Sequence, residues 1–261
     1  MNLIERLKQM FAKRQTPKHH VNPLSFAILE EAKDEWPIPP EELMQLVAAT
    51  ENVPWFINGG YVGYQSIVNL LRKNGVDLET IEPILDFGCG CGRVSRHWQK
   101  IGKRVYGVDY NEKLVAWCQE NLPFGHFSTN QLQPPLDFAD STFGLAYALS
   151  VFTHLPEEVQ LAWIQELSRV IKPGGYLVFT THGEYYLFDL APEQKKAFQA
   201  GQLVVRFEEE AGTNLCGAFH PLSYVEETLI KGCFELVDFI PQGAKGNPRQ
   251  DIYLLRNLAT N

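Results

Sequence analysis

Asp86, Gly88, Gly90 and Gly92 stand at alternate positions in "ILDFGCGCGRVSRHW", residues 84–98, placing a carboxylate against a bare backbone. Glycines after a strand allow a tight turn and close approach of a ligand, and the segment that follows offers free N–H groups. A dinucleotide fingerprint spaces its glycines G-x-G-x-x-G, and its third position would be residue 93, which is Arg. A pyrophosphate would also meet the Asp86 carboxylate, at a cost of about 1 kcal/mol per charge pair even in water. Asp109, 17 residues beyond Gly92, closes the next strand, where an acid accepts ribose hydroxyls. A nucleoside that is cationic and lacks phosphate fits both acids, and S-adenosylmethionine is such a molecule.

Three histidines add acid–base chemistry. His154 in "SVFTHL" falls at the C-terminal edge of a sheet, where it is either a general base for a hydroxyl acceptor or a structural group that caps the next helix or bonds a loop carbonyl. His182 and His220 are further candidates for substrate contact, with Tyr61 and Tyr185 from aromatic stretches on either side. Cys89-x-Cys91 is half a zinc motif without a second pair, and the strand ending in "YALS" carries no carboxylate, so no metal is expected.

The elements that must hold these residues follow from periodicity. "PILDF", "RVYGVDY", "GHFSTNQ", "FGLAYALSVF", "YLVFTTH", "FELVDFI" and "DIYLLR" read as strands. "GRVSRHWQKIG", "NEKLVAWCQENL" and "PEEVQLAWIQELSRVIKPGG" between them read as helices, the last with an acidic first turn and a Pro-Gly-Gly stop. Strand–helix alternation predicts a doubly wound α/β sheet. Before it, "WFINGGYVGY" reads as a glycine turn entering an amphipathic helix, and residues 1–80 form an N-terminal helical extension or lid. Residues 81–261 form the main domain, in which 183–232 is long for a connection and is assigned to the substrate side.

At this point the chain resembles the class I S-adenosylmethionine-dependent methyltransferases. "ILDFGCGCGRV", "VYGVDYN", "FGLAYALSVFTHLP" and "ELSRVIKPGGYLVFTTHG" carry the resemblance, in order, across residues 82–183. It implies a Rossmann-like seven-stranded sheet of order 3-2-1-4-5-7-6, the last strand antiparallel. It also implies that Asp86, Gly88, Gly90 and Gly92 line the methionyl part, that Asp109 holds the ribose, and that Tyr110 lies against adenine. Where the family has an Asp for the adenine amino group this chain has Asn130, beside Gln131, and an amide carbonyl can accept the same bond. Ser150 to Phe152 would approach the sulfonium. The Asn-Pro-Pro-aromatic tetrapeptide that resembling enzymes use on planar amino groups of adenine or glutamine is missing here. The expected reaction is methylation of a small organic acceptor, with oxygen favoured over nitrogen as the acceptor atom.

Composition limits the partners. A formal net charge of −8 over 261 residues disfavours nucleic acid. Residues 1–20 depart from this, with five Lys/Arg against Glu5 on an amphipathic pattern. That segment either docks on its own domain or makes a weak contact with an anionic membrane or a partner. No apolar run reaches the ~18 residues of a transmembrane segment, no secretory signal is visible, and five scattered cysteines suit a reducing, cytoplasmic setting. Two rival readings are a nicotinamide-dependent oxidoreductase on a similar sheet, and a non-catalytic adaptor that keeps an S-adenosylmethionine pocket.

Overall fold

A computed structural model describes residues 34–246 and 249–259. The basic segment 1–20, expected either to dock on its own domain or to contact a membrane or partner, lies outside the described residues. In chain order the strands are β1 (Ile84–Phe87), β2 (Val105–Asp109), β3 (Gly125–Thr129), β4 (Phe143–Ala148) and β5 (Ile171–Thr181). They continue with β6 (Val204–Arg206), β7 (Gly217–Phe219), β8 (Phe234–Ala244) and β9 (Gln250–Asn257). Seven of them form one sheet in the order β3-β2-β1-β4-β5-β9-β8, and β6 pairs with β7 separately. β1 to β5 run parallel, while β9 is antiparallel to both β5 and β8. This is the expected 3-2-1-4-5-7-6 sheet, with a two-stranded insertion between its fifth and sixth members. β1 and β4 are buried along their whole length, which is why β4 reads as a continuous apolar run.

The helices are α1 (Glu41–Ala48), α2 (Val53–Lys73), α3 (Glu112–Asn121), α4 (Glu157–Val170), α5 (Pro192–Gln199) and α6 (Leu222–Tyr224), the last continuing as a π-helical turn, Val225–Leu229. α4 and that turn pack on one face of the sheet around Phe87, Trp163 and Phe179. α2 packs on the other, where Ile67, Leu71, Trp98 and Val178 form the core. α1 and α2 precede the sheet as the expected helical extension. No helix among the described residues is long and apolar enough to cross a membrane.

Three local expectations change. "WFINGGYVGY" is not a turn but the interior of α2, which starts one residue after Asn52, whose side chain accepts from Trp55 N at 2.8 Å. Its glycines permit close packing: a Cβ on Gly60 would lie 2.1 Å from the Arg93 carbonyl oxygen. The segment after the glycine loop is a 3-10 helix, Ser95–Ile101, instead of an α-helix. Tertiary anchors override propensity there, since Arg96 makes bonds of 2.7 and 2.9 Å to Asp34 and further bonds to the Trp36 and Pro37 carbonyls. Finally, Lys172–Gly175 does not stop the helix in open coil but lies inside β5, as a bulge between the Phe143–Ile171 and Leu145–Tyr176 pairs.

Candidate active site

β1 delivers Asp86 to the sheet's C-terminal edge, and the chain turns at once through Gly88, Gly90 and Gly92, with φ of 79°, 56° and 71°. These left-handed conformations favour glycine on backbone grounds alone. The loop is bound to β2 by Gly88 and Cys89 N–H donating to the Val108 carbonyl at 2.8 and 3.0 Å. Asp109, at the end of β2, accepts from Gly90 N through Oδ2 and from Asn111 N through Oδ1, each at 2.9 Å. Both oxygens therefore hold the loop and keep lone pairs for a ligand.

Asp86 is 3% exposed. Ser95 Oγ and Tyr147 Oη (2.7 Å) both donate to its Oδ2. Burial pushes its carboxyl up to about 7, against the two hydrogen bonds, and the nearby Asp109 adds to the rise. Burial likewise raises Asp109, opposed by its two backbone donors. Two carboxyls held in a dry site make a locus that gains from a cation.

A cavity of about 770 Å³ opens over this edge, within the range of small-molecule sites. Asp86, Gly88, Gly90, Asp109, Tyr110, Asn130, Gln131, Ser150, His154, His182 and Tyr185 all line it. Four other candidates do not. Gly92 faces inward, where a Cβ would meet Leu122 Cδ1 at 2.3 Å, so its role is packing. Phe152 is fully buried against Phe179, ring centroids 5.2 Å apart, and its neighbour Val151 reaches the cavity instead. Tyr61 packs on Tyr64 and His97 with the Lys100 ammonium over its ring. His220 is 1% exposed with Nε2 2.9 Å from Gln160 Oε1, and burial pushes its imidazole down to about 3.

Asn130 is informative. Its Nδ2 donates to the Gln131 carbonyl at 2.6 Å, while its Oδ1 is buried without a hydrogen-bond partner. A buried acceptor on a cavity wall, left orphaned by the protein, is suited to a donor on a ligand.

Ser150 sits at φ 62°, its N–H donating to Thr180 Oγ1 at 2.8 Å. Thr180 Oγ1 donates to Gln250 Oε1 at 2.6 Å, and Gln250 Nε2 donates to Ser150 Oγ at 2.8 Å. Ser150 Oγ lies 3.5 Å from His154 Nε2, and His154 Nδ1 is 2.7 Å from the Cys216 carbonyl. A carbonyl accepts only, so Nδ1 carries the proton and Nε2 presents a lone pair toward Ser150. Gln250 Nε2 is also 3.4 Å from His182 Nε2. Gln250 and Arg206, both lining the cavity, are not recognisable from sequence, because neither belongs to a motif.

Residues 85–179 match a family model described as a methyltransferase domain. The chain is 28% identical over 137 residues to a malonyl-[acyl-carrier protein] O-methyltransferase of Pectobacterium atrosepticum, covering 49% of this chain and 52% of that protein. It is 31% identical over 117 residues to the enzyme of the same name from Pseudescherichia vulneris, covering 45% and 44%. The chain spans about half the length of the relatives it matches. Among solved structures, a methyltransferase from Methanosarcina mazei superposes with TM-score 0.55 at 21% identity, covering 73% of this chain and 98% of that one. An S-adenosylmethionine-dependent methyltransferase from Mesorhizobium loti gives 0.56 at 18% identity, covering 74% and 98%. Residues 85–179 thus match a methyltransferase domain, and the sheet order is that of the class I S-adenosylmethionine-dependent methyltransferase fold.

Proposed function

We propose that the protein transfers a methyl group from S-adenosylmethionine to an oxygen of a small organic acceptor. One observation carries this reading: two buried carboxyls on either side of a glycine turn, and an orphaned amide oxygen, share one cavity. Asp86 faces the cationic methionyl end, with Gly88 and Gly90 giving it backbone access. Asp109 takes the ribose hydroxyls, Tyr110 lies along the adenine, and Asn130 Oδ1 accepts from the adenine amino group, with Gln131 beside it. When bound, the cofactor supplies a methyl on a sulfonium, which departs as a neutral thioether.

Because charge disperses as the methyl moves, orientation accounts for most of what the protein contributes, up to ~7–11 kcal/mol in well-aligned systems. His154 takes the acceptor proton through Nε2, held in the needed tautomer by the Cys216 carbonyl. The oxygen assignment rests on that imidazole and on relatives whose names are those of O-methyltransferases. Residues 183–232 form the acceptor side, and the extension before residue 80 covers the cofactor side, where Val47 and Trp55 line the cavity.

A thermal-shift and calorimetry comparison tests the reading. S-adenosylhomocysteine is expected to bind and stabilise the protein, and NAD is not. Stabilisation by NAD alone would replace this function with the oxidoreductase reading.

A further inference from the structure

The half of the cavity away from Asp86 and Asp109 is built by the segment after β5, and its wall is aromatic. His182 and Tyr186 have ring centroids 4.2 Å apart, Tyr186 stacks on Phe188 at 6.1 Å, and Tyr185 meets Phe188 edge-on at 5.6 Å. Such a wall suits an apolar or aromatic ligand body. Two cationic side chains line the cavity among the described residues, Arg93 and Arg206. Arg93 is buried beside the glycine loop, 3.4 Å from the Gly246 carbonyl. Arg206, at the end of β6, belongs to the aromatic half.

Arg206 is only partly used by the protein. Its Nη1 donates to the Asp189 carbonyl at 3.0 Å, with the Asp189 carboxylate 4.0 Å away. Those contacts occupy one nitrogen, and among the described residues no hydrogen bond is made by Nε or Nη2. The Nε–Nη2 edge carries two parallel N–H groups, whose spacing matches the two oxygens of a carboxylate. Phe207 follows at φ 55°, a left-handed conformation that is strained for a bulky residue, and its ring lies 5.5 Å from the guanidinium carbon. Strain held beside one polar group, in a cavity, points to a binding role. The carboxylates of Glu208 and Glu209 come next in the chain, but they are exposed and screened by water.

Resting on the methyltransferase reading above, we propose that Arg206 binds a carboxylate on the methyl acceptor. The acceptor is then a small hydroxy-substituted aryl acid, its body along Tyr185, Tyr186 and Phe188 and its hydroxyl toward Ser150 and His154. The carboxylate takes no part in the bond changes. The hydroxyl oxygen gains the methyl, its proton passes to His154 Nε2, and the electrons of the broken C–S bond stay on sulfur.

The test uses the full-length protein saturated with S-adenosylhomocysteine. Hydroxybenzoates, hydroxyphenylacetate and hydroxycinnamate are titrated beside their primary amides, with binding read by saturation-transfer NMR. At least one acid should bind about tenfold or more tightly than its amide. Arg206→Gln should erase that preference and Arg206→Lys should keep part of it, both with wild-type affinity for S-adenosylhomocysteine and an unchanged melt by circular dichroism. No acid binding, amides binding equally well, or an acid preference that survives Arg206→Gln would each overturn the proposal. So would a tenfold loss of S-adenosylhomocysteine affinity in a folded Arg206→Gln, which would assign the arginine to the cofactor. Failure of the wild type to bind S-adenosylhomocysteine would instead remove the methyltransferase reading itself.

Discussion

Asp86 should make cofactor binding depend on pH, in a direction and window set by its burial. In the free protein its carboxyl is pushed up to about 7, because desolvation outweighs the Ser95 and Tyr147 hydrogen bonds. A sulfonium and an ammonium favour the ionised form, so binding below that pH must release the proton. If binding needs the carboxylate, the apparent dissociation constant rises by about twofold at pH 7 and about 11-fold at pH 6, relative to high pH. Each unit costs about 1.4 kcal/mol. The linkage also runs through stability. A carboxyl with a raised folded value costs the folded state as pH climbs from about 4 to 7, and the bound cation offsets that cost.

Calorimetry with S-adenosylmethionine at pH 6, 7 and 8, in two buffers of different ionisation heat, reads affinity and proton release together. Asp86→Asn cannot ionise, so its profile isolates any titration of the ligand's own amine. The variant should bind more weakly at pH 8, by about 1.5–3 kcal/mol for a lost charge-assisted bond, and should lose the wild type's extra pH dependence. Equal affinity of the wild type across pH 6–8, with no proton released, would refute the reasoning and place the cation elsewhere.

Asp109→Ala should weaken S-adenosylhomocysteine by roughly 2–3 kcal/mol, since two charged bonds are lost; unchanged calorimetry would withdraw the ribose assignment. Gly60→Ala puts a Cβ 2.1 Å from the Arg93 carbonyl and should cost about 1–3 kcal/mol, seen as a lower melting temperature. Burial pushes His97 and His220 down to about 3, so each contributes stability that is intact above about pH 6.5 and falls by about 1.4 kcal/mol per unit as pH drops toward 3. Asp86 and Asp109, both raised by burial, oppose that loss above about pH 4, so the check compares the wild type with His97→Gln. The variant's melting temperature should fall less from about pH 7 to 5, and equal changes would contradict the assignment. His154→Ala should lower turnover by about 10²-fold while cofactor affinity is kept, and full turnover with any identified acceptor would remove the base assignment.

The main sheet was legible because its central strands β1 and β4 are buried along their length and because strands and helices alternate along the chain. What misled was glycine, which has the same letter for two physical causes. At Gly88 and Gly90 a positive φ is required locally, and a turn can be read from neighbours in sequence. Gly60 is helical, and its reason is the Arg93 carbonyl, more than thirty residues away in sequence. No local pattern contains that information. The 3-10 helix at Ser95–Ile101 is a similar case, imposed by the tie between Arg96 and Asp34.

The candidate site divides along the same line. Asp86, the glycines and Asp109 are close in sequence because one strand–turn–helix–strand unit makes that half. The other half is assembled by topology. β9 lies beside β5, so Gln250 reaches Thr180 across seventy residues. β7 meets His182 through a bridge to Phe219, which brings the insertion over the edge. His154 and His220 are alike as letters, and their neighbours separate them. His154 meets a carbonyl that fixes its tautomer, and it lines the cavity with Nε2 3.5 Å from Ser150 Oγ. His220 meets Gln160 in a closed core where protonation is suppressed. What separates the two histidines is a cavity wall on one side and a closed core on the other, and that is a property of packing.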